Sequence, residues 1–363
     1  MHSVVAYVSG HGFGHAARVC EVLTALRVRR PDVRVMVRSP LARWFFAVNL
    51  DADVEYAACR LDVGVVQPDS LTVDLDATCA AYASIDAQRA ALIDAEVAAL
   101  ASHGPVVVLA DIPALAFEIA ARLAVPGVAM TNFSWDWIYA DYAAAQPGFA
   151  PLVEHLRAAY ARATLLLRLP LHGDLSAFPH VRDVPLVARR ARLERDTVRQ
   201  RLGLPRAARV VLLSFGGIGL QLARVPEIRG VVFVSSGGAA LDRAPDGCRR
   251  LDQSALTRAG LRYEDLVGAV DALIGKPGYG IVAECIANRT PMLYTPRGRF
   301  AEYECLVDGI RAHLAHAELS NADLYAGRWA DALERVWSQA IPTPTIGIDG
   351  ASVVSAVLDA MIG

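Results

Sequence analysis

Short apolar runs rich in Val and Ile alternate with alanine-rich stretches of helical character along the 363-residue chain. That alternation restricts the fold more than any other feature. Strands that are apolar on both faces need covering helices, and parallel strands need long crossovers, which those helices supply. The runs predict strands at 4–9, 33–38, 106–110, 127–131 and 164–168, then at 209–214, 230–235, 272–274 and 291–295. Helices are expected at 16–30, in one long stretch around 80–102, and at 114–123, 263–270, 280–288 and 302–313. The fold class is therefore α/β, with parallel sheets.

The length suits two domains, each able to form its own core. A proline-containing and then arginine-rich stretch, 170–206, reads as their connection, with 193–202 as an exposed helix opening the second half. The expected division is 1–185 and 186–349, with an amphipathic helix at 350–363 packing back on the first domain. Acidic residues are interleaved with the arginines and the formal net charge is −2, which argues against a nucleic-acid partner. Residues are 54% hydrophobic, yet Ala and Val supply much of this and no uninterrupted apolar run is long enough to span a bilayer. Residues 1–8 read as a first strand and not as a signal peptide. The six cysteines are scattered without metal-ligand spacing, as small side chains in a reducing cytoplasm would be. Cytoplasmic localisation is expected.

Five segments have the residue types for chemistry. The first, Ser9-Gly10-His11-Gly12-Phe13-Gly14-His15, follows the first strand. Glycines at 12 and 14 let the backbone approach a ligand, and the following helix offers N–H groups to an anion. His15 falls at the first helical turn, at the sheet edge where open α/β sheets place ligands; a capping or packing role is the alternative for both histidines. Asp111, ending the run 106–110, projects to the same edge, either as the orienting acid of a His–Asp pair or as an ordinary helix cap. The run Ser214-Phe215-Gly216-Gly217-Ile218-Gly219 repeats strand-then-glycine logic in the second half, which suggests two similar domains facing across a cleft.

Lys276, the only lysine of the chain, lies in Lys276-Pro277-Gly278-Tyr279-Gly280. A compact ammonium there, at a helix N-terminus, suits a diphosphate, with Glu284 one turn further on. In the fifth segment, Thr131–Tyr139, Asn132, Trp135 and Asp136 combine amide, aromatic and carboxylate groups suited to a small acceptor. The pairs Asp51/Asp53 and Asp74/Asp76 lack a third ligand nearby and are read as surface carboxylates, so no metal site is expected.

These motifs together resemble the GT-B glycosyltransferases, with two Rossmann-like domains. Over nearly the whole chain they are similar to the N-terminal glycosyltransferase-like domain of plant L-arabinokinases. The similarity rests on Gly10–Arg18, Thr131-Asn132-Phe133-Ser134-Trp135-Asp136, Arg182-Asp183-Val184-Pro185-Leu186-Val187 and Gly278-Tyr279-Gly280. L-arabinokinases place phosphotransfer in a separate, later domain. The 363 residues leave no room for it and neither glycine loop is a P-loop, so kinase activity is not expected.

The resemblance implies His15 as acceptor base and Asp111 as its orienting acid. It implies Gly12, Gly14, Ser214, Gly216, Gly217, Tyr263, Lys276, Gly278, Tyr279 and Gly280 around the donor diphosphate, and Glu284 on the ribose. Glu302 and Tyr303 fall where such enzymes read the donor sugar, and His11, Asn132, Trp135 and Asp136 would face the acceptor. The expected activity is inverting, metal-independent sugar transfer from a nucleotide-diphosphate sugar to a small molecule, with no further cofactor. Nucleotide-sugar hydrolysis, 2-epimerisation, or non-catalytic sensing of the sugar nucleotide are the alternatives.

Overall fold

The computed structural model describes residues 2–50, 54–216, 220–222, 224–236 and 246–363. Asp51, Asp53 and Gly217 lie outside them. The chain forms two compact units. One contains residues 1–66, 74–188 and 346–363; the other contains 67–73 and 189–345. The short segment 67–73 thus leaves the first half of the sequence to join the second unit, and the helix Gly350–Ile362 belongs to the first.

In the first unit seven strands form one parallel sheet: β1 (Ser3–Val8), β2 (Arg34–Ser39), β3 (Glu55–Ala58), β4 (Pro105–Asp111), β5 (Gly127–Thr131), β6 (Leu165–Arg168) and β7 (Val181–Asp183). Their order is β3-β2-β1-β4-β5-β6-β7. The central strands are sealed on both faces, as Val4, Val5, Ala6 and Val107 to Leu109 show by their complete burial. Helix Phe13–Arg29 lays Val19, Val22, Leu23 and Leu26 into the same core as Val354, Val357, Leu358 and Ile362 of the C-terminal helix.

The second unit holds a parallel sheet of six: β8 (Arg209–Ser214), β9 (Val231–Ser235), β10 (Cys248–Arg250), β11 (Ala272–Gly275), β12 (Met292–Tyr294) and β13 (His316–Glu318), in the order β10-β9-β8-β11-β12-β13. Val211, Ile274, Leu293, Trp329 and Leu333 anchor its core.

Both sheets reverse their winding once. The chain leaves β1 outward through β2 and β3, then returns to place β4 on the other side of β1; β8 and β11 repeat this in the second sheet. Such a switch point leaves an open crevice at the carboxyl ends of the two strands flanking it.

Two helix expectations need correction. The stretch around 80–102 is two helices, Leu75–Ala87 and Arg89–Leu100, separated at Gln88. The helix expected at 193–202 spans Arg195–Arg201 and is not simply exposed, since Val198 and Arg199 are buried. Arg192 pairs with Asp265, and Arg195 and Arg199 pair with Asp271. Three arginines of the run are therefore tied to carboxylates of the second unit, Arg199 buried and Arg192 and Arg195 with exposed side chains. Among the described residues no helix is long and apolar enough to cross a membrane.

Candidate active site

Each switch point carries a group of polar side chains, and each group is built within its own unit. In the first, Val8 at the end of β1 pairs with Asp111 at the end of β4. Gly12 caps the helix that follows β1 with φ of 87°, a backbone conformation strained for any residue with a side chain. Gly14 lies in the first turn of that helix and His15 follows it. The His15 ring is 7% exposed and stands edge-on to Phe133. Its Nδ1 lies 2.8 Å from Asp111 Oδ1.

Asp111 is fully buried and has a second partner. Arg18, one turn beyond His15, donates from Nε to Oδ2 at 2.5 Å and from Nη2 to Oδ1 at 2.6 Å. Burial alone would raise the Asp111 carboxyl; the Arg18 guanidinium and His15 outweigh it and hold the group below the usual range. Because the carboxylate only accepts, the His15 Nδ1 facing it carries a proton, and in the neutral ring Nε2 is then the basic nitrogen.

The segment after β5 closes the site from beneath. Asn132 accepts from Arg18 Nη1 and donates to the Pro170 carbonyl at 2.5 Å. Trp135 is 1% exposed and donates through Nε1 to Asp62 Oδ2 at 2.9 Å. Asp136 is buried and pairs with Arg157. His11 is half-buried, its ring edge-on to Trp135 at 5.4 Å, and its Nδ1 accepts from Val65 N at 3.4 Å. Of the four residues expected at the acceptor, His11 is thus the one that keeps appreciable exposure; Asn132, Trp135 and Asp136 are buried and each has a protein partner, although Asp136 Oδ1 has no hydrogen-bond partner among the described residues. Asp62 was not among the sequence candidates. Its burial raises its carboxyl against the bonds from Ser9 and Trp135, and nothing in Arg60-Leu61-Asp62 signals this role.

In the second unit Gly275 of β11 pairs with Ser214 of β8. Ser214 Oγ and the Tyr263 hydroxyl are 2.6 Å apart. Gly216 has φ of 75°, and a Cβ there would lie 3.9 Å from Lys276 Cε, so the two glycine loops meet at the lysine. Gly278 caps helix Tyr279–Asn288, whose first turn contains Tyr279 and Gly280. The Lys276 ammonium makes no hydrogen bond or ion pair among the described residues. Burial, reinforced by Arg297 and opposed by Glu302 and Asp69, lowers its pKa to about 7. Asp69 comes from the segment 67–73 that joins this unit.

Glu284, 4% exposed, is held by Arg189, whose Nε donates to Oε1 at 2.6 Å. The same guanidinium lies 3.2 Å from Glu264 Oε2 and 5.7 Å from the Tyr263 ring. Glu302 caps the helix that begins at Tyr303 and accepts from Arg297 Nη1 at 3.2 Å through Oε1, while its buried Oε2 has no hydrogen-bond partner among the described residues. Arg189 was also missed by the sequence reading. A run of arginines carries no sign of which carboxylate, some 95 positions away for Arg189, each one will meet. Asp74 caps helix Leu75–Ala87 by accepting from Ala77 N, and Asp76 accepts from Gln146.

No family profile matches the chain. L-arabinokinase of Arabidopsis thaliana is 34% identical over 363 residues, covering 98% of this chain and 34% of that protein. The chain thus spans about a third of its relative's length. Among solved structures, the glycosyltransferase of kitacinnamycin superposes with a TM-score of 0.60 at 15% identity, over 99% of this chain and 96% of its own. Arabidopsis thaliana UGT89C1 gives 0.60 at 14%, over 100% and 99%. The glycosyltransferase SnogD from Streptomyces nogalater gives 0.57 at 19%, over the whole of both chains. With two parallel sheets, each reversed once about its first strand, the chain has the GT-B fold of glycosyltransferases, and its sequence is similar to one third of L-arabinokinase.

Proposed function

We propose that the protein transfers a sugar, with inversion and without a metal, from a nucleotide-diphosphate sugar to a hydroxyl, amine or thiol of a small molecule. The observation that carries this reading is the His15–Asp111 pair at the switch point of the first sheet. His15 Nε2 takes the acceptor's proton as the acceptor atom bonds to the anomeric carbon. The bond from that carbon to the diphosphate breaks on the opposite face, and Asp111 stabilises the imidazolium.

The donor belongs to the second unit. Lys276 and the backbone N–H groups at the start of helix Tyr279–Asn288 neutralise the departing diphosphate, with Gly216 and Gly278 giving the backbone close approach. Glu284, oriented by Arg189, takes the ribose hydroxyls. Glu302 Oε2, with Tyr303 beside it, takes a hydroxyl of the sugar. His11 lines the acceptor side.

The test is calorimetric titration with UDP, ADP and GDP, followed by incubation of the matching sugar nucleotide with an acceptor panel. Nucleoside diphosphate released only with acceptor supports transfer. Release or isomerisation without acceptor points to a hydrolase or epimerase, and binding without any turnover to a sensor.

Lys276 makes the titration pH-dependent with a definite sign. Its ammonium is present below about pH 7 and is progressively lost above it. A diphosphate that needs the charge must restore the proton, so its affinity should fall toward tenfold per pH unit above that point, or ~1.4 kcal/mol. The slope should vanish in Lys276→Met, which binds weakly throughout. A wild-type affinity that is flat between pH 7 and 9 would remove Lys276 from the diphosphate site.

A further inference from the structure

We infer that Arg18 is a positioning residue of the first unit's site: its guanidinium fixes the Asp111 carboxylate in the orientation that holds His15 as its Nδ1–H tautomer. The importance of this for turnover rests on the function proposed above, but the arrangement itself does not.

Hydrogen-bond direction fixes each member of this chain. The Pro170 carbonyl can only accept, so Asn132 Nδ2 points at it, 2.5 Å away. That turns Asn132 Oδ1 toward Arg18 Nη1, a group that can only donate. The same guanidinium gives its remaining two edges to Asp111, Nε to Oδ2 at 2.5 Å and Nη2 to Oδ1 at 2.6 Å. Both carboxylate oxygens are thereby committed, and Oδ1 is directed to His15 Nδ1 at 2.8 Å. Arg18 Nη2 also lies 3.4 Å from that nitrogen. With Nδ1–H this is a contact between two donors and carries no bond. In the other tautomer an Nδ1 lone pair would face Oδ1 at 2.8 Å, which is repulsive. Each member of the chain has one role, and the role of His15 follows from a prolyl carbonyl four groups away.

Lysine cannot replace this arginine. One ammonium can balance the Asp111 charge, but it does not present a planar fork to both oxygens and a third donor to Asn132 at once. The charged groups facing Asp111 are Arg18 and His15 from helix Phe13–Arg29; Asp62, from the loop after β3, also acts on His15 electrostatically. Arg18 is thus the permanent cation of the group, and without it a buried carboxylate would face only the imidazole.

The experiment uses the full chain and needs no substrate. Long-range ¹H–¹⁵N spectra distinguish protonated from unprotonated ring nitrogens of each histidine, with His15→Gln giving the assignment. At a pH where the ring is neutral, wild type is expected to show a single His15 tautomer, Nδ1 protonated and Nε2 bare. R18Q should mix the tautomers and move the Asp111 ¹³C carboxyl titration up by about one pH unit or more, as expected when a paired cation is removed. R18K should keep that titration near wild type and still mix the tautomers, which separates geometry from charge. N132A leaves Arg18 and Asp111 in place and removes only the guanidinium's third anchor; it should show partial mixing, and it decides the matter if the Arg18 variants do not fold. Folded variants that all retain a pure Nδ1–H tautomer would overturn the assignment. Mixing as described, alongside an absence of sugar transfer under any condition, would leave Arg18's role standing and reject the proposed reaction instead.

Discussion

His15→Ala is expected to lower turnover by about 10²–10⁴-fold, the usual contribution of a positioned general base, while leaving donor affinity within a factor of about two. The fold should survive, because the substitution does not orphan a charge: Asp111 keeps both bonds from Arg18 when the imidazole is gone. The edge contact with Phe133 is lost, a modest packing change. The measurement is kcat and KM for the donor by release of nucleoside diphosphate, with the donor Kd determined separately by calorimetry. Loss confined to kcat assigns His15 to proton transfer. A donor Kd that weakens in proportion to the rate would instead make His15 a binding residue, and the mechanism proposed for the first unit would fail. Asp111→Asn should lower turnover on the same scale as His15→Ala at neutral pH, since the amide cannot balance an imidazolium and no longer selects the Nδ1–H tautomer.

Asp271→Ala is expected to destabilise the second unit by about 3–5 kcal/mol, the range for removing one partner of a buried ion pair. Asp271 is buried immediately before β11 and ties four groups together. It accepts from Val210 N at 2.6 Å, from Arg199 Nη2 at 2.6 Å, from Arg209 Nη1 at 3.1 Å, and from Arg195. Arg199 is itself 2% exposed, so alanine at 271 leaves a guanidinium out of water with only the Ala269 and Ala208 carbonyls. Arg195→Ala provides the contrast. That side chain is 44% exposed, and its loss should cost no more than about 1 kcal/mol.

The pH dependence of this contribution has a definite sign. Burial would raise the Asp271 carboxyl, but the Val210 N–H and the Arg195 and Arg199 guanidiniums hold it below its ordinary 3.8. A carboxyl lowered in the folded state stabilises above the unfolded value and loses that stabilisation as pH falls through the folded value. Urea unfolding of wild type and Asp271→Ala should therefore differ by a constant amount above about pH 5 and converge below pH 4. A difference that persists undiminished at low pH would mean that packing, and not the ion pairs, is what the variant loses.

How far the fold could be read from sequence depended on where a strand sits in its sheet. The interior strands were all legible, because a parallel strand covered on both faces is apolar at nearly every position, as in Val4–Val8 and Val107–Ala110. The four strands that went unread, β3, β7, β10 and β13, are the outermost of their sheets. Each has three or four residues, and β7 is exposed throughout its Val181-Arg182-Asp183. A strand paired on one side and open to water on the other carries no continuous apolar signal. The long helix expected around 80–102 erred for a related reason. Alanine favours helix so uniformly that the break at Gln88 leaves no mark on the pattern.

The site divides the same way. The placement of His15, Asp111, Gly216, Lys276 and Gly278 at the carboxyl edge was legible because strand ends and glycines mark that edge of a sheet, where the chain itself must turn. Arg18 was in plain view at the end of the stretch Gly10–Arg18 and given no role, since its meaning depends on Asp111, 93 positions on. Sequence alone determined which segments become buried strands and which residue types stand at their ends, because those follow from local hydrophobic pattern and backbone freedom. Only the tertiary structure decided which carboxylate each arginine meets, that Asp62 lies under Trp135, and that residues 67–73 bring Asp69 to Lys276. Ion pairs and hydrogen bonds depend on separation in space, and nothing in the linear order of residues encodes that distance directly.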